Sequence, residues 1–250
     1  VRTVLSKRYE IKETKGIVYG TDAAVLDLAI SEMRRARKEL DDFVRDFPEF
    51  KIMFDPWRWE VPGAVPQVVQ RMIDATEIFD VGPMAAVAGA LLDEVHDAVF
   101  SKEGQVDFLM EDGGEIRIDA GSEFVIGLYA GRSGIGARLG FVIPPRSETF
   151  AGVATSSATV GHAISFGNAD AVTIFSTNAA LADAAATAIC NSTQAEDEVE
   201  AIQQAIDAAK QYPEIKGVFI ARGGHVGSNG LIPRVIKLTG SEQDLVDLVS

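Results

Sequence analysis

The stretch from Gly152 to Asn191 reads GVATSSATVGHAISFGNADAVTIFSTNAALADAAATAICN, and no other segment concentrates so much possible chemistry. A hydroxyl-rich Gly/Ser/Thr loop comes first, then His162, then a strand-like run, then an Ala-rich segment. Alanine is the strongest helix former, so the last part reads as a helix. That helix carries Asp183 and Thr187 four residues apart, on one face and about one turn from each other. A carboxylate and a hydroxyl placed in this way are oxygen ligands suited to a hard cation, Mg²⁺ above all. Such a cation keeps waters and shares its shell with substrate phosphates. Two ligands do not complete a metal site, and an ordinary polar helix face is the alternative.

In the preceding loop Thr155, Ser156, Ser157 and Thr159, with Gly152 and Gly161, could wrap an anion through hydroxyls and exposed amides. A Ser/Thr-rich turn is the plainer reading. His162 beside such a loop is a candidate general acid or base, against a structural role next to a strand. A serine nucleophile, Ser156 or Ser157 with His162 and with Asp170 or Asp183, is a weaker reading because no G-x-S-x-G elbow is present. Neither a P-loop nor a dinucleotide fingerprint occurs, Gly131 to Gly136 included.

Toward the N-terminus, Val4 to Ile11 alternates like an edge strand and Gly16 to Gly20 reads as its return. Thr21 and Asp22 offer a helix cap, and Leu26, Ile30, Met33, Leu40, Phe43, Val44 and Phe47 recur on one helical face from Ala23 to about Phe47. Prolines at 48, 56, 62 and 66 predict an irregular segment around Trp57 and Trp59, read as core or lid packing rather than a stacking platform. Helices follow over Pro66 to Phe79 and Pro83 to Phe100, the second opened by Gly82-Pro83. Val106 to Met110 and Ile116 to Ile118 read as strands around a turn at Asp112-Gly113-Gly114-Glu115, with further strands over Phe124 to Tyr129 and Ala137 to Ile143.

Toward the C-terminus, Glu196 to Gln211 is helical, with acids in its first turn. Ile215 to Ala221 and Leu231 to Leu238 read as strands on either side of a Gly-rich loop, RGGHVGSNG, and Gly240 to Ser250 reads as a short helix. No repeat or linker forces a boundary, so residues 1–250 are read as one compact α+β domain.

A net charge of −14 disfavours nucleic acid, and Arg34, Arg35, Arg37 and Lys38 share a helical pattern with acids, which makes them a solvated face. One cysteine, Cys190, allows no intrachain disulfide, and no window approaches a membrane span. The expectation is a cytoplasmic protein without membrane contact. Exposed sheet edges make a homodimer the natural assembly to expect.

Three segments together carry a resemblance: DVGPMAAVAGALLDEV from Asp80, MEDGGEIRI from Met110, and GVATSSATVGHAISFGNADAV from Gly152 followed by LADAAATAICN. They closely resemble an uncharacterised ApbE-like family of archaea and anaerobic bacteria. More distantly they are similar to the ApbE enzymes, the FAD:protein FMN transferases. The resemblance implies an α+β fold with a mixed or antiparallel sheet, flanking helices and room for an internal duplication. It also implies binding of FAD or FMN with Mg²⁺, and transfer of FMN to an acceptor protein.

Residue by residue, Ala182-Asp183-Ala184-Ala185-Ala186-Thr187 resembles the family's A-D-A-x-A-T, and the resemblance implies that Asp183 and Thr187 are metal ligands. Gly113, Gly114 and Glu115 match a strand end beside the flavin. Thr155-Ser156 resembles T-S-G, with Ser157 in place of glycine. His162 matches the histidine of H-x-x-D-P, but the Asp-Pro is missing, as is the A-K-G motif of the helix that gives the metal a carbonyl. The lipoprotein leader of many ApbE enzymes has no counterpart, in keeping with the cytoplasmic expectation. An alternative implied by some relatives is a non-catalytic binding module in anaerobic sulfur assimilation and homocysteine formation. That role would turn Cys190 from a buried thiol into a sulfur carrier.

Overall fold

The computed structural model describes residues 3–128, 139–157, 167 and 169–238. Its centre is an eight-stranded antiparallel sheet of β1 (Leu5–Ile11), β2 (Thr14–Gly20), β3 (Phe108–Asp112), β4 (Glu115–Asp119), β7 (Gly152–Ser156), β8 (Ala171–Ser176), β9 (Gly217–Arg222) and β10 (His225–Gly230), in that order. A second sheet pairs β5 (Phe124–Gly127) with β6 (Leu139–Ile143) and β6 with β11 (Arg234–Lys237). Every ladder between these strands is antiparallel, so the sheet is antiparallel rather than mixed.

The large sheet repeats one plan twice. A strand pair, a helical excursion and a second strand pair give β1-β2-β3-β4, and the same sequence of elements gives β7-β8-β9-β10. The first excursion holds α1 (Ala23–Asp46), α2 (Glu49–Ile52), α3 (Gln67–Phe79), a 3-10 turn over Pro83–Ala86 and α4 (Val87–Glu103). The second holds α5 (Ala179–Asn191) and α6 (Glu198–Ala209).

Period-two alternation builds a core on each face of the large sheet. Val218 and Ile220 of β9 and Val172 and Ile174 of β8 pack under the helices. Phe219 of β9 and Phe175 of β8 point the other way, against Phe141 and Ile143 of the small sheet. Strands covered on both sides are buried along their whole length, as β8 is, with Thr173 and Ser176 its two polar residues.

Local signals explain the element ends. Asp22 caps α1 by accepting the Ala24 amide at 2.8 Å, and Asn178 and Asp197 cap α5 and α6 in the same manner. The proline-rich segment contains the short α2, which the proline count hid. Trp57 is buried against Phe43 and Phe50, while Trp59 lies over it with half its surface exposed.

The Gly-rich stretch after Arg222 is not a loop. Gly223 and Gly224 form a two-residue turn, and His225–Gly230 returns as the edge strand β10, its register fixed by His225 opposite Arg222. Its glycines and polar residues conceal the strand, because an edge has little to bury. The segment read as a final helix, 240–250, lies outside the described residues. No single helix among the described residues is long and apolar enough to cross a membrane.

Candidate functional site

The sheet brings three of the sequence motifs to one end. Gly113 and Gly114 turn β3 into β4 with φ of 70° and 132°, conformations that glycine adopts without strain. A Cβ on Gly114 would sit 3.6 Å from the Thr155 carbonyl, so this turn lies beside the end of β7. Asp183, on α5, repels Glu115 at the start of β4. The turn, the hydroxyl-rich strand end and the helix carboxylate are therefore neighbours.

Alternation along the strands then separates what sequence had grouped. Ala154 packs on the helix side and Val153 on the small-sheet side, so Ser156 turns toward α5 and Thr155 turns away. Thr155 meets Thr173 across the ladder, their hydroxyls 3.0 Å apart. The Thr155 and Ser156 hydroxyls therefore lie on opposite faces of β7, because successive residues of a strand face opposite sides. Ser156 is buried on β7, and Ser157 follows just beyond the strand. His162, with Thr159 and Gly161, lies outside the described residues.

The same alternation adds residues that pattern-reading missed. Asp112 shares the helix side with Glu115, while Glu111 shares the small-sheet side with Leu109. Burial pushes the Asp112 carboxyl up to about 6, against the pull of the Lys15 amide and Arg37. Burial and then repulsion from Asp112 push Glu111 up to about 7. Glu115 is held well above the carboxylate range by burial and by Asp183, Asp112 and Glu111 together. Asp183 is raised in the same direction by burial, against the amides of Gly89 and Ala88. Four acids thus share one end of the sheet with more negative charge than their surroundings offset.

Asp183 is fixed by the neighbouring helix. Its Oδ2 accepts the Gly89 amide at 2.9 Å, in the first turn of α4. Thr187 lies one turn further along the same face of α5, half-buried. Among the described residues no three His, Cys, Asp or Glu side chains form a ready-made metal cage. Asp183 and Thr187 with uncompensated acids nearby do fit Mg²⁺, which takes few protein ligands and completes its shell with water and phosphate oxygens. They do not fit a closed structural zinc site.

The other candidates resolve as structure. Cys190 is fully buried at the end of α5. Buried His96 stacks on Phe100 and meets Asp97 through Nδ1, and exposed His225 meets Glu198. Arg35, Arg37 and Lys38 pair with Glu32, Asp41 and Asp42; Lys38 and Asp42 form the solvated face expected from their spacing, whereas Arg37 is largely covered and Glu32 is buried.

A family described as AbpE bacteria matches residues 9–220. A UPF0280 protein of Methanocaldococcus jannaschii is 39% identical over 232 residues, covering 92% of this chain and 93% of the relative. One from Methanosarcina barkeri is 35% identical, with 93% and 89% covered. Among solved structures, the ApbE protein of Thermotoga maritima superposes with a TM-score of 0.53 at 15% identity, over 90% of this chain and 96% of that one. The flavinyl transferase ApbE of Pseudomonas stutzeri gives 0.53 at 14% identity, over 91% and 94%. At these identities the two structures establish a shared fold.

Proposed function

The chain belongs to the AbpE bacteria family, and from that membership we propose that it binds a flavin nucleotide, FAD or FMN, or a similar diphosphate, with Mg²⁺ held by Asp183 and Thr187. The observation that carries this reading is the meeting of Asp183, the Gly113-Gly114-Glu115 turn and the hydroxyl-bearing end of β7 at one end of the sheet. Asp112, Glu115 and Asp183 alone would repel a diphosphate. A divalent cation held by Asp183 and Thr187 would offset that repulsion and the charge that develops on a leaving phosphate.

The chain's own groups divide the remaining work. Asp183, one oxygen committed to the Gly89 amide, presents its remaining lone pairs in a fixed direction. Ser156 supplies a hydroxyl on the helix side of β7, and Gly113 and Gly114 allow a close approach of the ligand to the backbone. His162 is assigned the proton of the attacking hydroxyl. Attack on the FMN-side phosphorus forms one P–O bond as the pyrophosphate P–O bond breaks and AMP leaves. The attacking oxygen belongs to an acceptor protein's threonine or serine in transfer, and to water in hydrolysis. We place the reaction in the cytoplasm, and the open edges of β1 and β10 suit a homodimer.

Titration of the purified chain with FAD, with and without Mg²⁺, tests the reading through flavin fluorescence and release of AMP. Magnesium-dependent binding that Asp183→Ala abolishes supports it. Binding indifferent to Mg²⁺ and to Asp183→Ala removes the metal assignment, and the non-catalytic binding module then becomes the better account.

A further inference from the structure

Helices α4 and α5 lie alongside each other with their first turns overlapped, and each receives a carboxylate from the other. Asp183 of α5 accepts the Gly89 amide, as described. One turn further into α4, Asp93 Oδ1 and Oδ2 accept the amides of Ala179 and Ala180 at 3.1 and 2.8 Å. Gly89 faces Asp183 while Asp93 faces Ala179, so the two contacts are an antiparallel pair spaced by four residues on each helix. Only a glycine permits this approach, because a Cβ at position 89 would stand 2.2 Å from the Ala179 carbonyl oxygen.

The local cap of α5 leaves the Ala179 and Ala180 amides to Asp93. Asn178 already caps α5 by accepting the Leu181 amide at 2.9 Å. Asp93 is nonetheless only 2% exposed, and burial raises its carboxyl against the pull of Arg117 and the two amides. Burying a carboxylate is costly unless it is paired. Its partner comes from the middle of β4: Arg117 Nε stands 3.1 Å from Asp93 Oδ1, two residues beyond Glu115. The Arg117 guanidinium also donates to the Ala151 carbonyl at 3.0 Å, just before β7. Asp93 and Arg117 therefore join α4, the start of α5, β4 and the entry to β7, the elements that converge on Asp183.

We propose that Asp93 is a positioning residue for the Asp183 site, setting where α5 begins against α4 and hence where Asp183 and Thr187 stand relative to Glu115. This rests on the reading of Asp183 as a metal ligand. Outer partners that orient a ligand commonly change metal affinity about 10-fold to 100-fold when removed. Asp93→Asn keeps the shape but turns an amide donor toward a backbone donor.

The test is titration with Mn²⁺, followed by the relaxation of water protons, in wild type, Asp183→Asn, Asp93→Asn and Val95→Ala. Val95 is a fully buried core residue of the same helix and serves as a control for lost stability. The expected result is Asp183-dependent binding in wild type, about 10-fold weaker or worse in Asp93→Asn, and unchanged in Val95→Ala. Should Asp93→Asn not fold, Asp93→Glu keeps the charge but displaces it by one methylene, and a weaker affinity is again expected. Wild-type affinity in the folded Asp93 variant, or equal weakening in Val95→Ala, overturns the proposal alone. Absence of Mn²⁺ binding in wild type, or binding that Asp183→Asn leaves intact, overturns the metal reading and the proposal with it.

Discussion

Gly89 donates its amide to Asp183 across 94 residues of sequence, and the same glycine passes within van der Waals range of Ala179. Gly89→Ala must part the two helices, since backbone rather than a yielding side chain blocks the new methyl. Overpacking of this kind costs roughly 1–3 kcal/mol, and here the site is disturbed as well. Urea unfolding should show a loss of about 2 kcal/mol or more. A variant as stable as wild type would mean that the crossing gives way freely.

Metal-free protein should be more stable in mild acid than at neutral pH. Glu111 and Asp112 are held at about 7 and about 6, above their ordinary values of 4.5 and 3.8, and Glu115 and Asp183 move in the same direction. Between about pH 4 and pH 7 the folded chain binds more protons than the unfolded one, so stability falls as pH rises through that window. Below about pH 4 the trend reverses, as groups such as Asp97, held at about 2 by its bonds to His96 and Arg71, lose those partners. A melting temperature on the order of 5 °C higher near pH 5 than near pH 7.5 is expected, with Mg²⁺ raising the neutral value selectively. Calorimetry at the two pH values, with and without the cation, checks both halves of the claim. A flat profile would show that the acids are compensated.

The two glycines of the β3–β4 turn should not tolerate replacement equally. Gly113, at φ 70°, sits in the left-handed region that asparagine enters readily, whereas Gly114 at 132° occupies a region nearly exclusive to glycine. Space is not the issue, since the nearest atom to an added Cβ on Gly114 is 3.6 Å away. Gly114→Ala should lose on the order of 1–3 kcal/mol through backbone strain, and Gly113→Asn well under half of that. Equal losses in thermal melts would locate the strain elsewhere.

Cys190 should resist thiol reagents in the native protein and react only on unfolding, because it is fully buried. Ellman's reagent before and after guanidinium measures this directly. Rapid native labelling would restore the sulfur-carrier role.

Elements with strong periodicity were legible in sequence, and α1 with its Asp22 cap is the clearest case. The positions of Gly113-Gly114 and of Asp183 were legible too, because turn chemistry and an alanine run are local signals. Their meeting was not, since it depends on which strands pair. Nor was the division of Thr155 from Ser156, which a loop reading hides and a strand imposes. Asp93 passed as one more acid on a helix. Its significance lies wholly in the Ala179 and Ala180 amides, 86 and 87 residues away.

Among the described residues the β4–β7 ladder has two residue pairs, Ile116 with Val153 and Arg117 with Gly152, continued by the Ile118 amide on the Ala151 carbonyl, whereas all five residues of β7 pair with β8. This short ladder is the seam between the two similar halves. Gly89, Asp112 and Glu115 come from one side of it, Ser156 and Asp183 from the other. A molecule held by all of them would act as a clasp between the halves, adding its own binding free energy to their cohesion. If such a molecule binds there, neither half would suffice as a receptor without the other, and resistance to proteolysis should rise with its supply.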